Sequence, residues 1–406
     1  MRILFLTQWF QPEPFFKGLP FVKALQEKGH KVNVLTGFPN YPGGKVYSGY
    51  HVRLYQREAL DGIIVHRIML YPSHNRSAFH RIINYLSFSL SSFLLSPWLV
   101  KKPDVIYVYN LVTLGPTAFL LRLIFGSKVI LDVQDLWPES VAASRMLVNK
   151  GLLNFLNIMC DWIYRRTDHL VVLSPGFKKN LIDRGVAPER IAVIYNWCDE
   201  ASIRMEDTVS LDFIKPPAFT NKFVVLFAGA MGLVQGLDTL LDCAALCRES
   251  FPDIQFALIG GGVEKSRLQK RAKEMGLDNI TFLPPRPMSM MGEVFALADA
   301  LIVHLKDDAL FLITIPSKTQ AYLYAGKPII MAMHGDAAEL VRNSGAGILC
   351  EPENPRAMME AIKNMYNMQE LDRRKMGQYG REFYIRNLSF KEGVKKFEDI
   401  FLSCLE

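Results

Sequence analysis

Short apolar runs alternate with helix-compatible stretches along this chain, and the alternation restarts once. Ile3–Thr7 is a strand-like run; a helical stretch follows near Leu19–Lys28, then a second run at Lys31–Thr36 after the Gly29-His30 turn. Further runs lie at Ile63–Arg67, Val105–Tyr109, Val129–Asp132, Leu170–Leu173 and Ile191–Tyr195. Short runs separated by helices are what a parallel sheet with crossover connections requires. The stretch from Asp199 to Asn221 is mixed and polar, holds Pro216-Pro217, and marks a break. The pattern resumes with runs at Phe223–Ala228, Gln255–Ile259, Ile280–Leu283, Ala300–His304, Ile329–Ala332 and Ile348–Cys350, with helices expected between them. At 406 residues the chain is also too long for one ordinary core. The fold class read from this is α/β, with two doubly wound, Rossmann-like halves and a ligand expected in a central cleft at the strand C-termini. The boundaries read as 1–195 for the first domain and 196–380 for the second. Residues 381–406 read as a C-terminal helix whose amphipathic part, Val394–Cys404, is expected to pack back on the first half.

Three turns in the second half suit phosphate. Gly229-Ala230-Met231-Gly232 follows the first strand-like run, Gly260-Gly261-Gly262 follows the next, and Pro316-Ser317-Lys318 opens a helix that Gly326 and Pro328 end. Glycines let backbone N–H groups approach an anion, and a helix N-terminus favours negative charge. Ser317 is expected to supply a capping hydroxyl and Lys318 a positive charge. Each turn alone also reads as a tight turn or a capped helix, and none is the G-x-G-x-x-G dinucleotide fingerprint. Three on one sheet edge favour the anion site.

In the first half, Asp132-Val133-Gln134-Asp135-Leu136-Trp137-Pro138-Glu139 follows a strand-like run. Asp135 could accept a proton or orient a sugar hydroxyl, and Glu139 could simply favour a helix dipole. The segments Gln8–Gly18 and Phe38–Lys45 bring Trp9, Glu13, Lys17, Gly18, Asn40 and Tyr41 to the same edge. Aromatic and amide side chains among Gly and Pro suit a carbohydrate acceptor; they suit ordinary loops as well.

The formal net charge of +7 suits a phosphate-rich ligand or an anionic membrane surface. No basic run with interleaved aromatics argues for nucleic acid. The opening apolar run is too short for a signal peptide, so the chain reads as cytoplasmic. Six scattered cysteines, with Cys243 and Cys247 on one helix face, complete no zinc pattern. Residues 82–100 are uncharged and apolar-rich, near the ~20 residues a membrane span needs at minimum. Asn84, five serines and Pro97 favour a buried or surface-touching helix instead. Arg76, His80 and Arg81 just before it make contact with anionic lipid an expectation.

The order of these motifs resembles the retaining glycosyltransferases of family 4, which have the GT-B fold. Its carriers are Gly29-His30-Lys31-Val32, Asp135-Leu136-Trp137-Pro138, Leu173-Ser174-Pro175, Ile194-Tyr195-Asn196, Gly260-Gly261-Gly262, His304-Leu305-Lys306-Asp307-Asp308, Pro316-Ser317-Lys318 and Ala325-Gly326-Lys327-Pro328. Gly37-Phe38-Pro39-Asn40-Tyr41-Pro42-Gly43-Gly44 and Asp135-Leu136-Trp137-Pro138 are similar to a bacterial surface-polysaccharide branch that includes L-fucosamine transferases of O-antigen assembly. The resemblance implies a nucleotide-sugar donor, UDP-linked, held by the second half, and no metal or other cofactor. It implies an undecaprenyl-diphosphate-linked saccharide acceptor held by the first half, peripheral contact with the inner-membrane surface, and retention at the anomeric carbon. Asp135 and Lys318 are then the catalytic candidates. Gly229, Gly232, Gly260, Gly261, Gly262, Arg286, Lys306, Ser317, Lys318 and Gln320 are the donor-binding candidates.

The chain departs from the family pattern at Ala230 and Gln235, where many members carry Arg and Lys. It departs again at Ile313 and Ala321, where many carry glutamates, the later one gripping the ribose. Lys318, Lys306 and Arg286 are left to supply positive charge, and Gln320 or Glu339 to compensate for the ribose grip. These departures keep two other readings open: a non-catalytic nucleotide-sugar binding subunit, and a UDP-sugar 2-epimerase, which would need clustered cleft carboxylates and a histidine.

Overall fold

The computed structural model describes residues 1–73, 78–143, 149–203 and 216–406. Arg76 lies outside the described residues. The chain forms two units: Met1–Ile194 with Val394–Glu406, and Tyr195–Gly393.

The first unit carries strands β1 (Arg2–Leu6), β2 (Lys31–Gly37), β3 (Tyr55–Leu60), β4 (Ile63–Ile68), β5 (Val105–Tyr109), β6 (Lys128–Val133), β7 (His169–Val172) and β8 (Ile191–Val193). Its helices are α1 (Leu19–Glu27), α2 (Ala78–Leu99), α3 (Gly115–Phe125), α4 (Glu139–Ala143), α5 (Lys150–Arg166) and α6 (Pro175–Asp183). Among the described residues the strands form one eight-stranded sheet, ordered β3-β4-β2-β1-β5-β6-β7-β8. Every pairing is parallel except β3 with β4. The edge strand β3 was not expected from the sequence. Its residues are all exposed or half-buried, so they lack the apolar run that marks the central strands.

The second unit carries β9 (Phe223–Ala228), β10 (Ile254–Ile259), β11 (Ile280–Leu283), β12 (Ala300–His304), β13 (Ile329–Ala332) and β14 (Gly347–Cys350). Its helices are α7 (Asp238–Ser250), α8 (Lys265–Glu274), α9 (Met291–Ala296), α10 (Ser317–Ala325), α11 (Asp336–Ser344), α12 (Pro355–Asn367) and α13 (Glu370–Asn387). The six strands run parallel in the order β11-β10-β9-β12-β13-β14. The order reverses between β9 and β12, so ligands are expected beyond the C-terminal ends of those two strands. The core gathers Phe227 and Phe256 of the sheet with Leu240 and Leu241 of α7 and Ile362 of α12.

A boundary expected after residue 380 would cut α13, which stays with the second unit because it packs on α10; Tyr384 lies 5.3 Å from the Tyr324 ring. The chain rejoins the first unit within α14 (Phe390–Ser403). There Phe397 and Phe401 pack against Tyr107, at ring separations of 5.5 and 5.4 Å.

Candidate active site

In the second unit the strand ends after β9 and β10 are knitted together. A Cβ on Gly260 would stand 2.0 Å from the Gly229 carbonyl oxygen, and one on Gly262 would stand 2.3 Å from that of Met231. Both glycines hold φ near +148°, a conformation other residues rarely adopt. Backbone contact between neighbouring turns is therefore one reason for this triple glycine. The knitting consumes donors expected to face a phosphate. Gly229 N donates to Ile259 O (2.9 Å), Met231 N to Gly261 O (2.7 Å), and Gly232 N to Gln235 Oε1 (2.9 Å). Those three N–H groups are bonded within the protein, which corrects the expectation that this turn lends them to an anion.

What stands free at this edge is a charge. Lys318, in the first turn of α10, holds its Nζ 3.7 Å from the centre of the Phe227 ring, and a Cβ on Gly229 would meet that Nζ at 3.4 Å. The Nζ is buried and has no hydrogen-bond partner among the described residues. Burial pushes its pKa down from 10.5 to about 7. An unpaired buried ammonium is unfavourable until an anion arrives. Helix α10 supplies a second attraction through its N-terminal dipole.

Ser317 is not the cap that was expected: the N-cap is Pro316, no side chain caps the helix, and Ser317 is its first residue, exposed. Gln320 is buried, with its amide nitrogen facing the Pro316 carbonyl oxygen at 2.8 Å once the amide is oriented to satisfy its neighbours. It braces the loop rather than reaching out for a ribose. Glu339 pairs with Arg342 on α11. Lys306 and Arg286 are exposed at the ends of β12 and β11. Lys306 lines a cavity of about 280 Å³ with Gly232, Gly236 and Arg267. His304 is buried beneath; its Nδ1 lies 2.7 Å from the Gln235 carbonyl and its Nε2 accepts from Glu353 N at 3.0 Å. That pairing fits a neutral ring, and burial lowers its pKa accordingly.

The site rests on Tyr322 of α10. Its buried hydroxyl accepts from Ala228 N at 2.8 Å and donates to Ala228 O at 3.2 Å, tying the last residue of β9 to the Lys318 helix. Tyr322→Phe is expected to lower stability by about 1–3 kcal/mol, because it strands a buried N–H. The reading is a lower urea midpoint at unchanged m; an unchanged midpoint contradicts it.

In the first unit the loops after β1, β2 and β6 meet over the sheet, but several residues expected to bind acceptor turn inward. Lys17 is 1% exposed and pairs with buried Asp132 at 2.6 Å, where Tyr107 Oη (2.5 Å) and Gln134 Nε2 (2.5 Å) also donate. Glu13 is buried and accepts from Phe10 N, Asn40 N and Tyr41 N at 3.1, 2.8 and 2.7 Å. Burial pushes its pKa up to about 7, against the pull of those three donors. Asn40 is buried and donates to Phe38 O. Gly18 leaves room for the Gln11 side chain, which caps α1 at Leu19 N. Lys17, Glu13, Asn40 and Gly18 therefore shape the loops, which corrects their assignment as acceptor contacts. Tyr41 stays half-buried at the surface, but Trp9 is only 5% exposed beneath the loops, which corrects its assignment as an acceptor contact as well. Trp9 stacks on Phe15 at 5.2 Å, and its Nε1 has no partner among the described residues.

Asp135 is exposed, and desolvation by the protein around it raises its pKa above the ordinary carboxylate value. Its charge acts on Tyr85 and Tyr109, which lie near it. Tyr85 packs edge-on against Trp9 at 5.7 Å. Its neighbour Asn84 is fully buried, accepting from Gln8 Nε2 at 2.5 Å and donating to Tyr71 O at 2.6 Å. Asn84 and Tyr85 were missed as site supports; the signal was an asparagine in an otherwise apolar helix. Among the described residues no group of three or more His, Cys, Asp and Glu could hold a metal ion.

Two largely parallel α/β sheets, the second with a lysine lacking a partner among the described residues at the helix start beside its switch point, are the arrangement expected of a GT-B glycosyltransferase. Residues 19–197 match the glycosyl transferase 4-like domain and residues 210–383 match the glycosyl transferases group 1 family. The chain belongs to the group 1, family-4-like superfamily of these enzymes. It is 27% identical over 389 residues to the Escherichia coli K12 protein named colanic acid biosynthesis glycosyl transferase WcaI, covering 93% of each chain. It is 26% identical over 281 residues to the Pseudomonas aeruginosa protein named glycosyltransferase WbjE, covering 68% of this chain and 69% of that one. The fold matches sucrose-phosphate synthase of Thermosynechococcus elongatus (TM-score 0.69, 16% identity, 99% of each chain). It also matches Anabaena HepE in complex with UDP-glucose (TM-score 0.64, 16% identity, 99% of this chain and 100% of that one).

Proposed function

We propose that this enzyme transfers a sugar, an N-acetylated 6-deoxyhexose such as N-acetyl-L-fucosamine, from a UDP donor to a lipid-linked saccharide in surface-polysaccharide assembly. The observation that carries the donor half is Lys318, a buried ammonium with no hydrogen-bond partner among the described residues, at a helix start beside the β9 turn. A diphosphate supplies the missing counter-charge, and its departure as UDP is assisted by the same ammonium and by the α10 dipole without a metal. The acceptor oxygen forms the new C–O bond on the face from which UDP leaves, so configuration is retained. Its proton passes to Asp135, whose raised pKa suits a base. Tyr41, half-buried at the surface and held by Trp9 beneath it, offers an aromatic face to the saccharide. The polysaccharide setting is supported by the name of the Escherichia coli relative, and the UDP donor by the UDP-glucose complex of HepE. The chain works at the cytoplasmic face of the inner membrane.

The test is a screen of UDP- and GDP-sugars against a bacterial lipid-linked saccharide extract, scored by free nucleotide. Acceptor-dependent UDP release from UDP-N-acetyl-L-fucosamine is expected. Asp135→Asn is expected to slow turnover about 10²–10⁴-fold. Release from no sugar in the screen, or full turnover by Asp135→Asn, contradicts the proposal.

A further inference from the structure

Helix α2 turns an apolar stripe outward. Its buried face carries Phe88 among Asn84, Ser91, Ser92 and Ser96, while Leu86, Leu90, Leu94 and Trp98 stand exposed, Trp98 by 81%. These exposed positions recur every four residues, so they form one stripe along the helix. Amphipathic helices of soluble domains turn the apolar stripe inward. This one bonds its polar stripe to the domain: Ser92 Oγ lies 2.9 Å from Thr117 Oγ1 of α3, and Ser91 Oγ donates to Met69 O at 2.6 Å.

The two helices beyond it continue the exposed surface. Leu123 of α3 is 84% exposed, and α5 exposes Leu152, Phe155 and Ile158. The Ser92–Thr117 bond joins α2 to α3, and Phe119 of α3 meets Trp162 of α5 edge-on at 5.3 Å. An apolar surface shared by three adjoining helices calls for an occupant.

The charge around it selects one. Between residues 78 and 128 five basic side chains (Arg81, Lys101, Lys102, Arg122, Lys128) stand against one acid, Asp104. Arg2 holds that carboxylate at 2.7 Å, and Arg122 pairs with Asp168 at 3.3 Å, which leaves Arg81, Lys101, Lys102 and Lys128 as the excess. Lys101 and Lys102 are exposed just beyond the end of α2, and Arg165 and Arg166 are exposed at the end of α5. Two copies of a surface with an excess of basic charge at its border repel each other there, whereas anionic lipid headgroups attract it. The length and hydropathy of Phe79–Leu99 would also permit a span. The bonds of Asn84, Ser91 and Ser92 to the domain instead fix the helix lying on its sheet.

We infer that α2, α3 and α5 form a platform that lies on an anionic bilayer, with the apolar stripe of α2 in the headgroup–acyl boundary and Lys101 and Lys102 on lipid phosphates. Because α2 also carries Asn84 and Tyr85 beneath the Trp9 loop, the docked helix sets those loops close to the lipid surface. This deepens the membrane part of the function proposed above and takes its setting from that reading. Binding is scored without donor or acceptor, so either can fail alone.

The experiment is co-sedimentation of the full chain with phosphatidylglycerol–phosphatidylethanolamine vesicles and with phosphatidylcholine vesicles, at low and high salt, with oligomeric state followed by light scattering. The wild type should bind the anionic vesicles and release at high salt. Lys101→Glu/Lys102→Glu should weaken binding at least about tenfold, and Leu90→Glu/Leu94→Glu about 100-fold. Both are exposed positions, so unchanged melting and near-UV dichroism should accompany the loss. No binding to anionic vesicles, or binding unaltered in both variants, overturns the inference. A wild-type dimer that Leu90→Glu/Leu94→Glu disperses, with no vesicle binding, overturns it in favour of a second copy.

Discussion

Lys318→Met should give a protein that is harder to unfold and binds UDP poorly. The folded environment lowers the Lys318 pKa from 10.5 to about 7 through burial. Between those values the native chain holds fewer protons than the unfolded chain, so stability rises with pH across that window and the full penalty applies below pH 7. Methionine fills similar space without the charge. At pH 6.5 its gain should be about 2–4 kcal/mol, shrinking toward pH 10. The same change removes a charged donor from the diphosphate, so UDP affinity should fall about 10–100-fold. Urea unfolding at the two pH values and calorimetry read both effects. A loss of stability would mean that Lys318 has a counter-charge within the protein; an unchanged UDP affinity would mean that the anion sits elsewhere.

Lys17→Met should be among the most destabilising single changes in the chain. It leaves Asp132 buried without its cation, a situation that typically costs about 3–5 kcal/mol. The double variant Lys17→Met/Asp132→Asn leaves no charge unpaired; the Asn oxygen accepts from Gln134 Nε2 and its amide N–H donates to the Tyr107 hydroxyl, so it should recover much of that loss. An acceptor-binding Lys17 behaves differently: stability holds and only the acceptor KM rises. Urea midpoints of the wild type, both single variants and the double variant separate the two.

These two lysines show what was legible in the sequence. Lys318 was visible because its neighbours are local: Pro316 before it and Gly326 after it mark a helix, so a basic residue at its start could be placed without the fold. The partner of Lys17 is Asp132, 115 residues away, and a loop of Pro, Phe, Lys and Gly has the same composition whether its lysine faces in or out. The same holds for Glu13, whose donors include Asn40 and Tyr41 of the next loop. The parallel strands were readable because burial on both faces demands continuous apolar runs; β3, half-buried at best, has no such run. The glycine turns were found for a partial reason. Gly260 and Gly262 are required by the approach of neighbouring backbone, and their suitability for phosphate was an inference from type alone. For helix α2 the sequence left a buried and a surface-touching helix both open, because apolar content does not say which way a side chain faces.

The donor site stands or falls on whether the charge of Lys318 is what holds the nucleotide diphosphate. UDP titrated calorimetrically into the 406-residue chain from pH 6 to 9, beside Lys318→Met, measures this. In the wild type, affinity should be steady up to about pH 7 and then fall by as much as about tenfold per pH unit as the free ammonium is lost. The methionine variant should bind weakly and show only the titration of the nucleotide itself. Equal affinity for the two proteins across the range, or a wild-type profile that does not fall above pH 7, would contradict a diphosphate site built on Lys318.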